Sequence, residues 1–239
     1  MPLNRIAPIP DNWPRCSSDV ASRGTTPIAG HELEHDRTKI IPMTGAIASE
    51  AVGIREPPAG RYAVSRLFGA LRQMGFVVRD IDKAMRHWVE VCGVGPWFVA
   101  EKLPLDGFWY KEQPYDIHLT AALANSGDVQ LELIEQRDAT PSMYRDFLGA
   151  GHDGLQHWSS WPENYHELLD RAVKNGWTIG QRGETPRGPF VYFLNEGHPG
   201  TVIEMAELTP TRRRIFDAVR AAAVDWQGSD PIRHDWPRG

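Results

Sequence analysis

Hydrophobic and polar positions alternate along the chain in a way that predicts a compact unit between residues 74 and 136. The apolar run MGFVV (74–78) predicts a buried strand. Asp80 then takes the N-cap position of a helix whose apolar residues recur at helical spacing. The runs IHLTAALAN (117–125) and DVQLELIEQ (128–136), joined by Ser126-Gly127, predict a hairpin. With a further strand between helix and hairpin, the order is strand, helix, strand, strand, strand.

The same order recurs after a connecting helix around PSMYRDFLGAG. The run LQHWSSW (155–161) predicts a first strand, and Pro162 opens a helix that ends at Gly176. The runs PFVYFL (189–194) and TVIEMAEL (201–208) predict the closing pair of strands. The chain therefore contains an internal repeat.

Between helix and hairpin of the first unit, WFVAE (97–101) predicts a strand and LDGFWYKEQPYD predicts a loop. Three consecutive aromatic residues, Phe108-Trp109-Tyr110, are unusual in a loop, because loops face solvent. They indicate either a hydrophobic or aromatic substrate or a contact between subunits, and both interpretations stay open.

One acidic residue stands in the middle of the closing strand of each repeat. In VQLELIE, side chains alternate between two faces, so Glu132 lies opposite Leu131 and Leu133. Glu204 holds the same place in VIEMAE. A buried carboxylate is costly unless it is paired or binds a metal. Its repetition favours metal ligation over a solvated surface for both acids.

The first strands carry a second matching pair, Gln73 and His157. Two such units that pair about a pseudo-twofold axis would bring amide, imidazole and both carboxylates into one cleft. This donor set suits Zn, Mn, Ni, Co or Fe(II). His157 has the alternative of a hydrogen-bonded core histidine, and Gln73 that of a hydrogen bond to substrate or water. We predict an α+β fold with two βαβββ modules forming a curled mixed sheet around a metal-binding cleft.

Composition removes several other classes of function. The net charge is −5, and the triplet Arg212-Arg213-Arg214 lies in a helical pattern as a solvated face, so no nucleic-acid partner is predicted. Cys16 and Cys92 form no CxxC pair, which excludes a thiolate site or a disulfide framework. Neither a membrane-spanning run nor a signal-peptide core is present, so a cytoplasmic location and no membrane partner are expected.

The repeat also suggests how the chain is divided. Residues 1–62 are rich in Pro, Ser, Thr and Gly and are predicted to be an extended arm, partly disordered. A domain is predicted at 67–208, with modules at about 70–136 and 155–208. Residues 209–239 are predicted to form a C-terminal helix and tail, the helix running from about residue 211 to 226.

Four segments carry a resemblance to a known family: GFVVRDIDKAMRHWVEVCGVGPW, VQLELIE, GLQHWSSW and GHPGTVIEMAEL. Together they resemble the vicinal oxygen chelate superfamily, which includes glyoxalase I, methylmalonyl-CoA epimerase, extradiol dioxygenases and fosfomycin-resistance enzymes. The resemblance covers about residues 70–208 and places the family's metal positions on Gln73, Glu132, His157 and Glu204. That set is similar to glyoxalase I of the zinc type, whereas a single ligand histidine departs from the dioxygenases. The GVGPW and LELIE segments look more like the epimerase branch.

The resemblance implies a metal-dependent isomerase or epimerase that shifts a proton next to a carbonyl group, with Glu204 or Glu132 as the catalytic base. Our leading hypothesis is that Glu204 moves the proton while Glu132 stays bound. The expected substrate is a small oxo-acid, thioester or aromatic-derived carbonyl compound, and a homodimer is expected. The alternatives are a lyase or oxygenase on the same metal and a non-catalytic protein that binds a hydrophobic small molecule. Substrate contacts are predicted for five residues: His118, Gln130, Trp158, Tyr192 and Phe98.

Overall fold

The described part of the chain forms a single mixed sheet with helices packed on it. The structure is a computed structural model and describes residues 67–194, 200 and 202–236. Its strands are β1 (Gln73–Val77), β2 (Trp97–Ala100), β3 (Gly107–Tyr110), β4 (Gln113–Pro114), β5 (Leu119–Ser126), β6 (Val129–Gln136), β7 (Gly154–Ser160), β8 (Thr178–Thr185), β9 (Gly188–Leu194), β10 (Ile203–Ala206) and β11 (Ile232–Arg233). Its helices are α1 (Ile81–Glu90), α2 (Met143–Gly149), α3 (Tyr165–Lys174) and α4 (Pro210–Ala223).

The two modules lie side by side in this sheet. The strand order is β11-β2-β5-β6-β1-β7-β10-β9-β8-β3-β4, so that β2-β5-β6-β1 is mirrored by β8-β9-β10-β7. Strand β1 runs parallel to β6, β7 runs parallel to β10, and β1 and β7 are antiparallel neighbours at the centre. The predicted α+β fold, with two βαβββ modules in a curled mixed sheet, is confirmed. The predicted arm at 1–62 lies outside the described residues.

Local signals in the first module produce the predicted strand and helix. Asp80 has extended backbone angles and accepts a hydrogen bond from the Lys83 backbone N–H at 2.8 Å, so it caps α1. Apolar residues on the inner face of α1 pack on Leu131 and Leu133 of β6. The other face of β6, which carries Glu132, is thereby left to the opposite side of the sheet. Cys92 is exposed, two residues after the end of α1 at Glu90.

The predicted loop around Phe108-Trp109-Tyr110 is wrong. These residues form β3, which pairs with β8 of the second module, Phe108 opposite Gly183 and Tyr110 opposite Gln181. Phe108 and Tyr110 are buried in the core. Trp109 lies on the other face, beneath the Arg182 guanidinium at 4.2 Å from the ring centroid. The aromatic residues therefore serve the sheet, through a partner strand that is remote in sequence.

The C-terminal segment closes one side of the sheet. Helix α4 packs on β5, where Val219 is fully buried against Phe98 and Leu123. Strand β11 adds to the sheet edge beside β2, and the Trp236 indole N–H donates to the Val99 carbonyl at 2.8 Å. The structure thus uses residues after 208 as part of the domain wall. Among the helices that the structure describes, none is long and apolar enough to cross a membrane.

The central strand pair contains a close approach that only glycine permits. Gly75 of β1 lies opposite His157 of β7, and a Cβ atom on Gly75 would stand 1.9 Å from the imidazole Cε1. The missing side chain therefore provides the space in which the His157 ring lies.

Replacing Gly75 tests this packing. We expect Gly75→Ala to lower the free energy of unfolding by about 1–3 kcal/mol, because the methyl group forces the His157 ring or β7 to move. Gly149→Ala is the matched control, since nothing lies within 4 Å of a Cβ at that helical position, and it should be neutral or stabilising. Urea denaturation measures both, and an unchanged Gly75→Ala midpoint would contradict the packing.

Candidate metal centre

Side chains from neighbouring central strands meet on one face of the sheet. In the register, Glu132 of β6 and His157 of β7 both lie opposite Gly75, and Glu204 of β10 lies opposite Ser159 of β7. The His157 Nε2 atom is 3.7 Å from Glu132 Oε2 and 3.8 Å from Glu204 Oε2. One ligand atom from each of the three residues lies within 4.8 Å of the others. This is the spacing expected around a single cation that is bound by all three.

Gln73, on β1, lines the cavity that Glu132 and Glu204 also line. Its side-chain N–H donates to the Gln130 amide oxygen at 2.8 Å, and both residues are buried. This hydrogen bond leaves the Gln73 amide oxygen as the atom available to a cation or to a water. Gln130, predicted as a substrate contact, supports Gln73 from behind and does not line the cavity.

The hydrogen bonding of His157 prepares its Nε2 atom for ligation. The ring Nδ1 lies 2.8 Å from the Gln156 amide oxygen, so Nδ1 carries the proton that it donates. The lone pair on Nε2 then points toward the two acids. Burial lowers the pKa of His157 to about 4, which keeps the ring neutral, as a metal ligand must be.

The two carboxylates are held in an environment that opposes their charge. Burial raises the pKa of Glu132 to about 7, partly offset by Arg212. Burial and the neighbouring Glu132 also raise the pKa of Glu204. The buried Glu204 Oε2 has no hydrogen-bond partner among the residues described. A neutral imidazole cannot compensate two such acids, whereas a divalent cation would, so the donor set fits a metal.

The cavity in front of these ligands is small and mostly apolar. Its volume is about 70 Å³. Both modules and the C-terminal segment contribute to its apolar wall, which contains Leu103, Pro104, Leu119, Ala121, Leu123, Ile134, Phe190, Ala206, Phe216 and Trp236. Tyr192, for which a substrate contact is predicted, also lines it; its hydroxyl lies 3.4 Å from His157 Nε2 and accepts a hydrogen bond from the Tyr144 hydroxyl at 3.1 Å.

Three other predicted substrate contacts do not reach the cavity. Trp158 follows His157 in β7, so strand alternation turns it to the opposite face, where it packs against Phe68. Phe98 is covered by α4 in the cluster around Val219. His118 lies outside the cavity wall, its ring 3.3 Å from the Glu101 carbonyl oxygen.

The sequence analysis did not identify the arginine side chains of the cavity wall, Arg187 and Arg212. Arg212 was assigned with its neighbours to a solvated helix face, but it is only 5% exposed. It donates to the carbonyl oxygens of Pro189 at 3.0 Å, Gly188 at 2.7 Å and Glu207. Helical spacing from Phe216 and Val219 gives the signal that could have placed Arg212 on the inner face.

Comparison with known proteins identifies the family. A family profile described as Glyoxalase/Bleomycin resistance protein/Dioxygenase superfamily matches residues 72–193. The chain belongs to this superfamily, and the resemblance drawn from its motifs is confirmed. The matched range contains Gln73, Glu132 and His157 and ends before Glu204.

Solved structures with a similar arrangement share little sequence with the chain. A hypothetical protein from Bacillus halodurans is 17% identical over 58% of this chain and 94% of its own, with a TM-score of 0.45. Methylmalonyl-CoA epimerase from Mycobacterium tuberculosis is 16% identical over 64% and 97%, with a TM-score of 0.46. The Streptomyces coelicolor epimerase is 12% identical over 59% and 95%, with a TM-score of 0.43. No curated protein sequence matches the chain.

The raised pKa of Glu132 makes a prediction for the metal-free protein. Because the folded-state pKa of about 7 exceeds the ordinary value of 4.5, stability from this group is full below pH 4.5 and is lost as pH rises through 7. Glu132→Gln removes that loss. We expect its thermal midpoint to exceed that of the metal-free parent by about 3 °C or more near pH 8, with little gain near pH 5.

Glu135→Gln is the control for this comparison. Glu135 lies on the other face of β6, accepts from the Ile81 N–H at 2.8 Å and pairs with Arg137 at 2.6 Å. Its replacement should give no gain at pH 8. If Glu132→Gln is less stable than its parent at pH 8, the ionised Glu132 carboxylate does not destabilise the folded protein.

Proposed function

We propose that this protein is a metal-dependent isomerase or epimerase that shifts a proton on a carbon next to a carbonyl group. The observation that carries the proposal is the group of Glu132, His157 and Glu204 around one point at the end of a mostly apolar cavity. Three or four protein ligands would leave open positions for substrate oxygens on the cation. The cation is one of Zn, Mn, Ni, Co or Fe(II).

Each side chain has a role in this proposal. Gln73, Glu132, His157 and Glu204 would hold the cation, and Glu204 would also move the proton while Glu132 stays bound. When bound, the cation would stabilise negative charge on a carbonyl oxygen of the substrate. Glu204 takes a proton from the adjacent carbon and returns it to the other face of that carbon or to a neighbouring one. The Glu204 carboxylate lies in the wall of the cavity, where it can reach a carbon of a substrate whose carbonyl oxygen is on the cation.

The cavity wall supports this chemistry in two ways. Its apolar side chains exclude water from the reacting carbon, which strengthens every electrostatic interaction there. Tyr192, oriented by its contact with Tyr144, can donate a hydrogen bond to a substrate oxygen. The substrate is a small oxo-acid, a thioester or an aromatic-derived carbonyl compound. A homodimer and a cytoplasmic location remain predictions from the sequence.

The mostly apolar wall also favours a second candidate, a protein that binds a hydrophobic small molecule without catalysis. It predicts ligand binding that survives removal of the carboxylates. A lyase or an oxygenase on the same cation is the remaining alternative, and oxygen consumption with Fe(II) would identify the oxygenase.

Metal binding is the first test. The full-length chain, stripped of metal and titrated with each of the five cations, is expected to bind about one equivalent of at least one of them and to gain thermal stability. His157→Ala should lose this gain. His118→Ala is the matched control, because its ring lies outside the cavity, and it should keep the gain. Equal responses of the two variants would contradict a site at His157.

Solvent exchange tests the reaction. We expect the metal-loaded protein to catalyse incorporation of solvent deuterium next to the carbonyl group of at least one small oxo-acid or thioester. Proton NMR measures the rate of this exchange. Glu204→Gln should slow exchange by about 100-fold or more, because it removes the base and keeps an amide oxygen in place. Glu135→Gln should exchange at the parental rate. If Glu204→Gln retains full activity, its assigned role is wrong.

A further inference from the structure

Arg187 places a positive charge in the wall of the candidate metal cavity. It lies in the turn between β8 and β9 and lines the same cavity as Glu132 and Glu204. The turn is closed by hydrogen bonds of the Thr185 hydroxyl, which donates to the Gly188 carbonyl at 3.0 Å and accepts from the Arg187 N–H at 3.1 Å. The backbone position of Arg187 is therefore well defined.

The start of α4 fixes this turn from the other side. The Thr209 hydroxyl donates to the Arg187 carbonyl at 2.5 Å, and Arg212 donates to the Gly188 carbonyl at 2.7 Å. Gly188 has a φ of 119°, and a Cβ there would stand 2.8 Å from the Thr209 methyl group. Only glycine allows this approach of the turn to the helix.

The Arg187 side chain is oriented by an aromatic ring. Its guanidinium carbon lies 4.4 Å from the centroid of Trp236, whose indole N–H is held by the Val99 carbonyl. The stacking leaves the edge of the guanidinium, with its N–H donors, without an acceptor among the described residues. Arg212 differs, because backbone carbonyls already accept from its guanidinium.

A half-buried guanidinium with unused donors needs a partner. Burial lowers the pKa of Arg187, so the wall opposes its charge, and no carboxylate of the described chain is paired with it. The fork of an Arg guanidinium matches the two oxygens of a carboxylate. The position inside a cavity, on a fixed turn and over a fixed ring, points to a ligand that supplies those oxygens.

We propose that Arg187 binds the carboxylate of the substrate, which is an oxo-acid whose carbonyl group lies at Glu132, His157 and Glu204. This inference rests on the proposed function and selects one of its three substrate classes. A small acid suits this small cavity, and its carbon chain would lie along the apolar wall. A phosphate or phosphonate shares the oxyanion chemistry and is the other source to be tested.

The test compares acids with their uncharged esters. Pyruvate, acetoacetate and levulinate, each beside its methyl ester, and acetonylphosphonate are titrated into the zinc-loaded full-length protein by NMR. We expect at least one carboxylic acid to bind about tenfold or more tightly than its ester, and more tightly than the phosphonate. In Arg187→Met the ratio of the affinity for the acid to the affinity for its ester should fall to about twofold or less, and in Arg187→Lys this ratio should be intermediate.

Arg182→Met is the matched control. Arg182 also stacks on a tryptophan, at 4.2 Å from the centroid of Trp109, but it does not line this cavity. It should keep the parental ratio. Three outcomes overturn the proposal: no acid binds more tightly than its ester, the phosphonate is preferred over every acid, or the preference persists in Arg187→Met. The last result would place the carboxylate on the cation instead.

Repeating the titration without metal separates this proposal from the proposed function. If the protein binds no cation but prefers acids in a way that depends on Arg187, the result supports the carboxylate subsite and contradicts the proposed function. If the protein binds zinc and catalyses deuterium exchange but binds acid and ester with equal affinity, the result supports the proposed function and contradicts the carboxylate subsite. Circular dichroism and the zinc affinity of each variant show that folding and the metal centre are unchanged.

Discussion

The antiparallel pairing of β1 with β7 is the constraint on which the rest of the structure depends. It joins the two modules at the centre of one sheet and places His157 directly over Gly75. Because β6 runs parallel beside β1 and β10 runs parallel beside β7, the same pairing brings Glu132 and Glu204 to either side of the imidazole. A side chain on Gly75 would fill the space that the ring uses. The site is thus a consequence of how two repeats share a sheet.

The cost of this arrangement lies in the two acids. Both lose hydration in the cavity, and their mutual repulsion adds to the rise in the pKa of Glu204. The positive charge of Arg212 lowers the penalty for Glu132 only in part, and the Arg212 guanidinium donates to backbone carbonyls. A bound cation would compensate the negative charge that the protein leaves on the two carboxylates. Strongly shifted pKa values of this kind are more typical of ligand sites than of structural cores.

The C-terminal segment gives the cavity its individual character. The superfamily match ends at residue 193, whereas Arg212, Phe216 and Trp236 from later in the chain complete the wall. The same segment fixes the β8–β9 turn and orients the Arg187 side chain over Trp236. The matched range therefore contains three of the four candidate donors for a cation, and residues beyond it contribute Glu204 and complete the cavity wall.

Local patterns in the sequence determined the modules and the donors. The N-cap at Asp80, the hairpin turn and the repeated mid-strand acids are short-range signals, and the fold built from them is confirmed. Alternation in β7 already implied that Trp158 cannot share the face of His157. Much of the candidate site could therefore be read from repeated positions.

Contacts between remote segments were decided only by the tertiary structure. Strand β3 looked like a loop because its partner, β8, lies about 70 residues later in the chain. The inner position of Arg212 and the stacking of Arg187 on Trp236 likewise depend on where α4 and the tail meet the sheet. Periodicity reports which face of an element is apolar, but not which distant element covers it. For that reason the sequence determined the donors of the site, and only the folded chain decided what surrounds them.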